Sequence, residues 1–262
     1  MDLGIAGKTA FVAGGSKGIG RSVALKLAEE GCRVAVVARG QEAIDGVVAE
    51  IVANGGQAVG VSLDLSTQEG VERAVQTTRD ALGSPEIVIG QTNEINGGKF
   101  AKLTNEDFEE TFRVFTMATV NLARAVLPDM RARKWGRFVH IGSPIAKEPE
   151  TRFPHMLANV ARPSTIGLLK SLSDEVAPDG VTVNTVAPGW TMTPSLEQFL
   201  TLKKFTREEG EEWLRQTIGV PAGRFGKPEE IAAMIVFLCG ESASYVTGEW
   251  ILVDGGMHRS IF

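Results

Sequence analysis

Seven residues near the start of the chain, Gly14-Gly15-Ser16-Lys17-Gly18-Ile19-Gly20, carry four glycines around one hydroxyl and one amine. They stand between an apolar, β-branched run at 9–13 (TAFVA) and a helix-period stretch at 20–30. A glycine turn between strand and helix folds tightly, lets a pyrophosphate approach the backbone, and offers it the partial positive charge of the helix N-terminus. The chemistry to expect there is dinucleotide binding. Side chains able to move protons or hold a metal are scarce: three histidines (His140, His155, His258), two cysteines (Cys32, Cys239) and a single tyrosine, Tyr245. Their spacing makes no metal-ligand set, and two cysteines are too few for a disulfide framework. His155 is a candidate acid/base because imidazole titrates near neutrality, while His140, inside an apolar run, reads as a core residue. Glu94 is the nearest candidate carboxylate.

Seven short runs are available to position these groups, at 9–13, 33–38, 58–63, 86–89, 137–141, 181–186 and 250–253, and all read as buried strands. Helix-period stretches lie between them at 20–30, 41–53, 67–82, 108–133, 159–176 and 229–239. Ser66-x-x-Glu69 predicts a capping box, and Pro228-Glu229-Glu230 a helix start. Alternation with crossovers of this length predicts an α/β fold: a single doubly wound Rossmann-type domain over 1–262, with a parallel sheet of about seven strands and helices on both faces. Segment 191–225, polar and charged, predicts a helical excursion serving as a substrate lid. The chain has 262 residues, 43% of them hydrophobic, and a net charge of −5. A mildly acidic chain without basic blocks argues against nucleic-acid and anionic-membrane partners. No apolar run nears membrane-spanning length and the first residues lack a signal-peptide pattern, so a cytoplasmic location is expected.

The spacing Gly-x-x-x-Gly-x-Gly resembles that of the short-chain dehydrogenase/reductase family, and the resemblance runs through nearly the whole chain. Asp64-Leu65, LARAVLPDM at 122–130, GRFVHIGS at 136–143, LKSLSDEVAPDGVTVNTVAPG at 169–189, and the stretch from GRFGKPEEIA to YVTGEWILVDGG all fit it. The resemblance implies that Gly14, Ser16, Gly18, Ile19 and Gly20 hold pyrophosphate and ribose, and that Asp64 and Leu65 hold adenine. Pro188, Gly189 and Thr193 would lie along the nicotinamide carboxamide. The family's usual Thr before the first glycine is Ala13 here. A carboxylate at the end of the second strand would select NAD, but this chain has Ala38 and then Arg39, with Lys17 in the glycine turn. Two cations and no acid favour NADP(H). By resemblance the protein is an oxidoreductase of a small carbonyl or alcohol, assembled as a homodimer or homotetramer.

The catalytic end departs from the family. Its members use a Ser-Tyr-Lys set supported by an Asn, with Tyr as acid/base and Lys one helical turn later. Ser143 matches the Ser. Thirteen residues on, the Tyr position falls on Met156, the Lys position on Val160 and the Asn position on Phe115, while the family's Asn-Asn-Ala-Gly is Gly90-Gln91-Thr92-Asn93. The standard mechanism is therefore expected to be disabled. Phe115, Met156, Val160 and Trp190 together suggest an unusually apolar pocket. Three readings stay open: an NADP(H)-dependent oxidoreductase with an unusual proton donor, a non-redox enzyme (dehydratase, lyase, isomerase or cyclase) on the same scaffold, and a catalytically silent NADP-binding subunit.

Overall fold

The computed structural model describes residues 2–91 and 97–260. Strands β1 (Thr9–Ala13), β2 (Arg33–Ala38), β3 (Gln57–Ser62), β4 (Ile87–Gln91), β5 (Gly136–Ile141), β6 (Val181–Pro188) and β7 (Trp250–Val253) form one sheet in the order β3-β2-β1-β4-β5-β6-β7. Every pairing is parallel, with Ala10 opposite both Val34 and Ile87, and Gly90 opposite His140. The strand order reverses between β1 and β4, which opens a crevice at the C-terminal ends of these two strands.

Strands covered on both faces must be apolar throughout, and β1 and β5 are buried at every residue. Alternation divides them between two cores. Val12, Val34, Val36, Ile89, Val139 and Val186 pack beneath α1 (Gly18–Glu29), α2 (Gln41–Ala53) and α9 (Pro228–Cys239). On the other face, Phe11, Ala35, Val37, Val88, Phe138 and Val183 meet α3 (Gln68–Leu82), α5 (Ala118–Ala132) and α6 (Met156–Val176). Each fully buried Val or Phe side chain contributes about 1.5–3 kcal/mol. Cys32 and Cys239 both lie in the first core, unbonded, and burial pushes both thiols up, Cys32 to about 12.

Three local expectations need correction. The start of α3 is capped by Thr67, whose Oγ1 accepts from the Gly70 N–H at 3.0 Å, and not by Ser66. Ser66 is instead drawn to Asp64 and Arg113. The continuous helix expected at 108–133 begins earlier, at α4 (Asn105–Phe112), behind a Thr104–Asp107 capping box. A wide π turn over Arg113–Met117 then separates α4 from α5. Helix α6 likewise begins at Met156, three residues before the expected 159, because the His155 carbonyl already accepts the Asn159 N–H at 2.8 Å. The Pro228 start holds: the Glu230 carboxylate accepts the Lys227 N–H at 2.8 Å.

The segment expected as an excursion folds into α7 (Pro194–Lys203) and α8 (Arg207–Trp213), followed by a second wide turn at Leu214–Ile218. It leaves and rejoins the body at one point, where Met192 donates to the Gly226 carbonyl and Gly226 donates to that of Trp190. Among the described residues, no helix is long and apolar enough to cross a membrane, and no cluster of His, Cys, Asp and Glu could hold a metal.

Candidate functional site

The turn after β1 is built so that only glycine serves at its closest points. Gly14 and Gly18 have φ of +66° and +53°, in the left-handed region. At Gly20 a Cβ would come within 2.2 Å of the Gly14 carbonyl oxygen, so any side chain there would force the turn apart. Lys17 occupies the N-cap of α1 in extended conformation, and no side chain caps the helix. The first-turn N–H groups of α1 therefore keep their donor capacity for a ligand.

Above this turn lies a cleft of about 520 Å³. Gly14, Ser16, Lys17, Gly18, Ile19, Arg39, Asp64, Leu65, Pro188 and Thr193 all line it, so ten of the residues singled out in the sequence share one wall system. Gly20 stands behind the turn rather than in the lining. Gly189 borders a smaller cavity of about 190 Å³ beside Trp190 and Asp254. The Asp64 carboxylate accepts the Ser66 N–H at 2.9 Å, and that hydrogen bond chiefly, with the nearby charges of Arg39 and Arg113, holds it below the usual carboxylate range. Arg113 reaches across to the Ser66 carbonyl at 2.8 Å and pins the loop between β3 and α3. The geometry fits a nucleotide: a cradle that a Cβ would fill, an uncapped helix start, and two cations with no carboxylate directly after β2.

The far end of the cleft differs from the expectation. Ser143 is absent from the lining, and its Oγ accepts the Ile145 N–H at 3.4 Å, a local strand-end hydrogen bond. His155 also stays outside the cleft, half-buried with its ring edge-on to Phe153 at 5.9 Å. Met156 and Val160 are 37% and 39% exposed and do not line the cleft. Phe115 is buried with Val114 and Ala161, and Trp190 belongs to a separate aromatic cluster, so the expected apolar pocket is not assembled from these four. Thr92, Asn93 and Glu94 lie outside the described residues. His140 is buried behind Gly90, and burial, with the charge of Arg162 adding, pushes its imidazole down to about 3, so the ring is neutral. Tyr245 is fully exposed in the loop entering β7, at the opposite end of the sheet from the cleft.

One functional candidate escaped the sequence reading. Arg162, on α6, lines the cleft with its guanidinium over the Phe115 ring, 5.1 Å from the centroid. Its signal lay in the start of the family-like block at 169–189, whose residues up to Val176 share helix α6 with Arg162.

Beside the cleft, α7 and α8 close over an aromatic cluster in which Trp190 and Trp213 are 5.1 Å apart, with Phe153 and Phe199 packed around them. Arg152 donates to the Ile218 carbonyl at 3.4 Å and Arg259 to that of Gly219 at 2.8 Å. These two hydrogen bonds tie the end of the excursion to the loop before α6 and to the C-terminal segment.

A family model described as enoyl-(acyl carrier protein) reductase matches residues 13–258. The chain is 33% identical over 259 residues to the 3-oxoacyl-(acyl-carrier-protein) reductase FabG of Aquifex aeolicus, covering 98% of this chain and all of that one. It is also 33% identical over 254 residues to human dehydrogenase/reductase SDR family member 4, covering 96% and 88% of the two. Among solved structures, L-sorbose reductase from Gluconobacter frateurii, complexed with NADPH and L-sorbose, superposes with a TM-score of 0.92 at 31% identity over the full length of both chains.

Proposed function

The chain belongs to the short-chain dehydrogenase/reductase family, and from that premise we propose that it is an NADP(H)-dependent reductase of a small carbonyl compound, working without the phenol that normally delivers the proton. The observation that carries the cofactor choice is the presence of Lys17 and Arg39 in one cleft lining, with no carboxylate directly after β2 to repel a 2′-phosphate. The similar L-sorbose reductase, solved with NADPH, supports the same choice.

Gly14, Ser16, Gly18 and Ile19 would hold pyrophosphate and ribose, with Gly20 keeping the turn closed. Lys17 and Arg39 would take the 2′-phosphate, and Asp64 with Leu65 the adenine. Pro188, Gly189 and Thr193 would flank the carboxamide. Bound NADPH supplies the hydride for a carbonyl carbon. The rest is electrostatics. With no phenol in the cleft lining, the proton comes from water, and the missing acid makes the reductase slow by about 10²–10⁴-fold relative to one that has it. Segment 191–225 acts as the lid over the substrate. Exposed Phe112, Met117, Met156 and Val160 on α4, the wide turn and α6 favour burial against a second copy, hence a homodimer or homotetramer.

Titration of the purified protein with NADPH, with NADH as control, tests the reading. NADPH is expected to bind at least tenfold more tightly, and Arg39→Ala to remove most of that preference. Equal affinity for the two would overturn the NADP(H) choice, and binding of neither would put a non-redox scaffold or a silent subunit ahead of the reductase.

A further inference from the structure

Along α6, Ala161, Thr165 and Leu169 are turned into the core and Val160, Pro163 and Gly167 to the outside. The stripe between them borders the cleft, where Arg162 is a lining residue. Ala158 lies on it one turn before Arg162, half-buried and with only a methyl group to fill the space. His155, at the cap of the helix, is three residues before Ala158, about 60° around the helix and about 4.5 Å along its axis, the span of one bridging water. The imidazole is available on that side. It is half-buried, does not cap the helix, and stands edge-on to Phe153, the ring against which Trp190 and Phe199 also pack. The loop behind it is fixed. Asn159 accepts the Glu150 N–H at 3.1 Å and donates to the Glu150 carbonyl at 2.9 Å. The Glu150 carboxylate accepts from Arg152 at 2.6, 2.8 and 3.0 Å. Burial alone would raise this carboxyl, but those bonds, with the charges of Arg152 and His155, hold it below the usual carboxylate range. The other charges on the elements around His155, among the described residues, are few. Glu148 is taken by His258 at 2.8 Å, Lys99 follows Gly97, which lies against His155, and Arg162 is two turns along. From α7 and α8 the neighbours through Phe153 are rings, Phe199 and Trp213.

Resting on the reductase reading, we propose that His155 supplies the proton of the reaction through one water held over Ala158. His155 is outside the cleft wall, so it reaches the reaction end only through that water. The carbonyl carbon receives the hydride, and the electron pair of the carbonyl π bond moves to oxygen. That oxygen takes a proton from the water as the water takes one from the imidazolium. The neutral imidazole then recovers its proton from solvent. One carbonyl compound, one NADPH and one proton are consumed, and one alcohol and one NADP⁺ are formed. Arg162 cannot take this part, because a guanidinium does not give up its proton. Imidazole can, because its charge changes between about pH 5 and 8. Measured from Met156, where the sequence count put the phenol, His155 is the adjacent residue and turned about 100° away. Measured from Ala158 it is close to the same side.

NADPH consumption with diacetyl, cyclohexanone and benzaldehyde tests this, in wild type, His155→Gln, Ala158→Tyr and the double variant, at saturating NADPH from about pH 5.5 to 8.5. The wild-type kcat should fall as pH rises, because the imidazolium is the form that gives the proton. His155→Gln should lose about tenfold at the acid end, part of the 10²–10⁴ that proton transfer contributes, and its profile should be flat. Free imidazole in the buffer should return part of that loss, and NADPH should bind the variant as it binds the wild type. In Ala158→Tyr the phenol takes the place of the water, so His155→Gln should cost less than about twofold in that background. A His155→Gln variant with the wild-type rate and pH slope would overturn the proton route and leave the reductase reading standing. An equal cost of His155→Gln in both backgrounds would do the same, and loss of NADPH binding in His155→Gln would make the residue structural and overturn the route too. A wild type that binds NADPH yet reduces none of the three carbonyls at any pH would remove the reductase reading, and this inference with it.

Discussion

Ala158 and Met156 are two residues apart on α6, yet they occupy different sides of it: Ala158 shares the stripe of Arg162, whereas Met156 points outward, 37% exposed. A phenol introduced at each therefore separates two accounts of where the proton donor belongs. In Ala158→Tyr the hydroxyl would stand one turn before the guanidinium, which stabilises the phenolate and lowers its pKa. NADPH-dependent reduction of a small ketone should rise at least about tenfold, part of the 10²–10⁴ that a well-placed acid contributes. Met156→Tyr should leave the rate unchanged, since its ring would lie outside the cleft. Equal rates in the two variants would show that the stripe is not where the reaction needs its acid.

Rigid elements transmitted their spacing into the structure and loops did not. Strands β1, β2 and β7 and helix α2 fall where the sequence alone puts them, because apolar periodicity there is uninterrupted. The glycine turn was legible for the same reason, since it is fixed between β1 and α1. The count from Ser143 to Met156, by contrast, crosses residues 144–155, a segment whose one short 3₁₀ turn leaves its spacing unsupported by any longer regular element. Arg162 lies on α6 seven residues before the block at 169–189, with no loop between them. The wide turn at Arg113–Met117 was equally hidden, because a π turn adds a residue without altering composition. Helix α9 offers a test at this scale. Glu230 accepts from Arg224 at 2.7 and 2.8 Å and from the Lys227 N–H, and the arginine chiefly holds its carboxyl down to about 2. A folded pKa below the unfolded value gives stability that is whole above about pH 4.5 and fades as pH falls toward 2. The thermal midpoints of wild type and Glu230→Gln should thus differ at pH 6, and the gap should narrow below about pH 4.5 and close only as pH nears 2. A gap that stays constant over that range would assign no such role to the carboxylate.

For the whole molecule, the open question is what covers the exposed apolar side chains of α4, α6 and the turn between α4 and α5. Met117 and Val160 are 45% and 39% exposed, so Met117→Glu with Val160→Glu costs the isolated fold little. Light scattering should find the wild type at two or four times the chain mass and the double variant as a monomer. A monomeric wild type would contradict the proposed assembly. Cys32 precedes β2 and Cys239 ends α9, more than two hundred residues apart in sequence, yet both are sealed in the core beneath α1 and α9 with their thiols held protonated. A thiol-reactive dye therefore finds nothing to attack until that face comes open. Its labelling rate becomes a clock for the loosening of the layer that bears the glycine turn, readable with no engineered probe and no knowledge of the substrate.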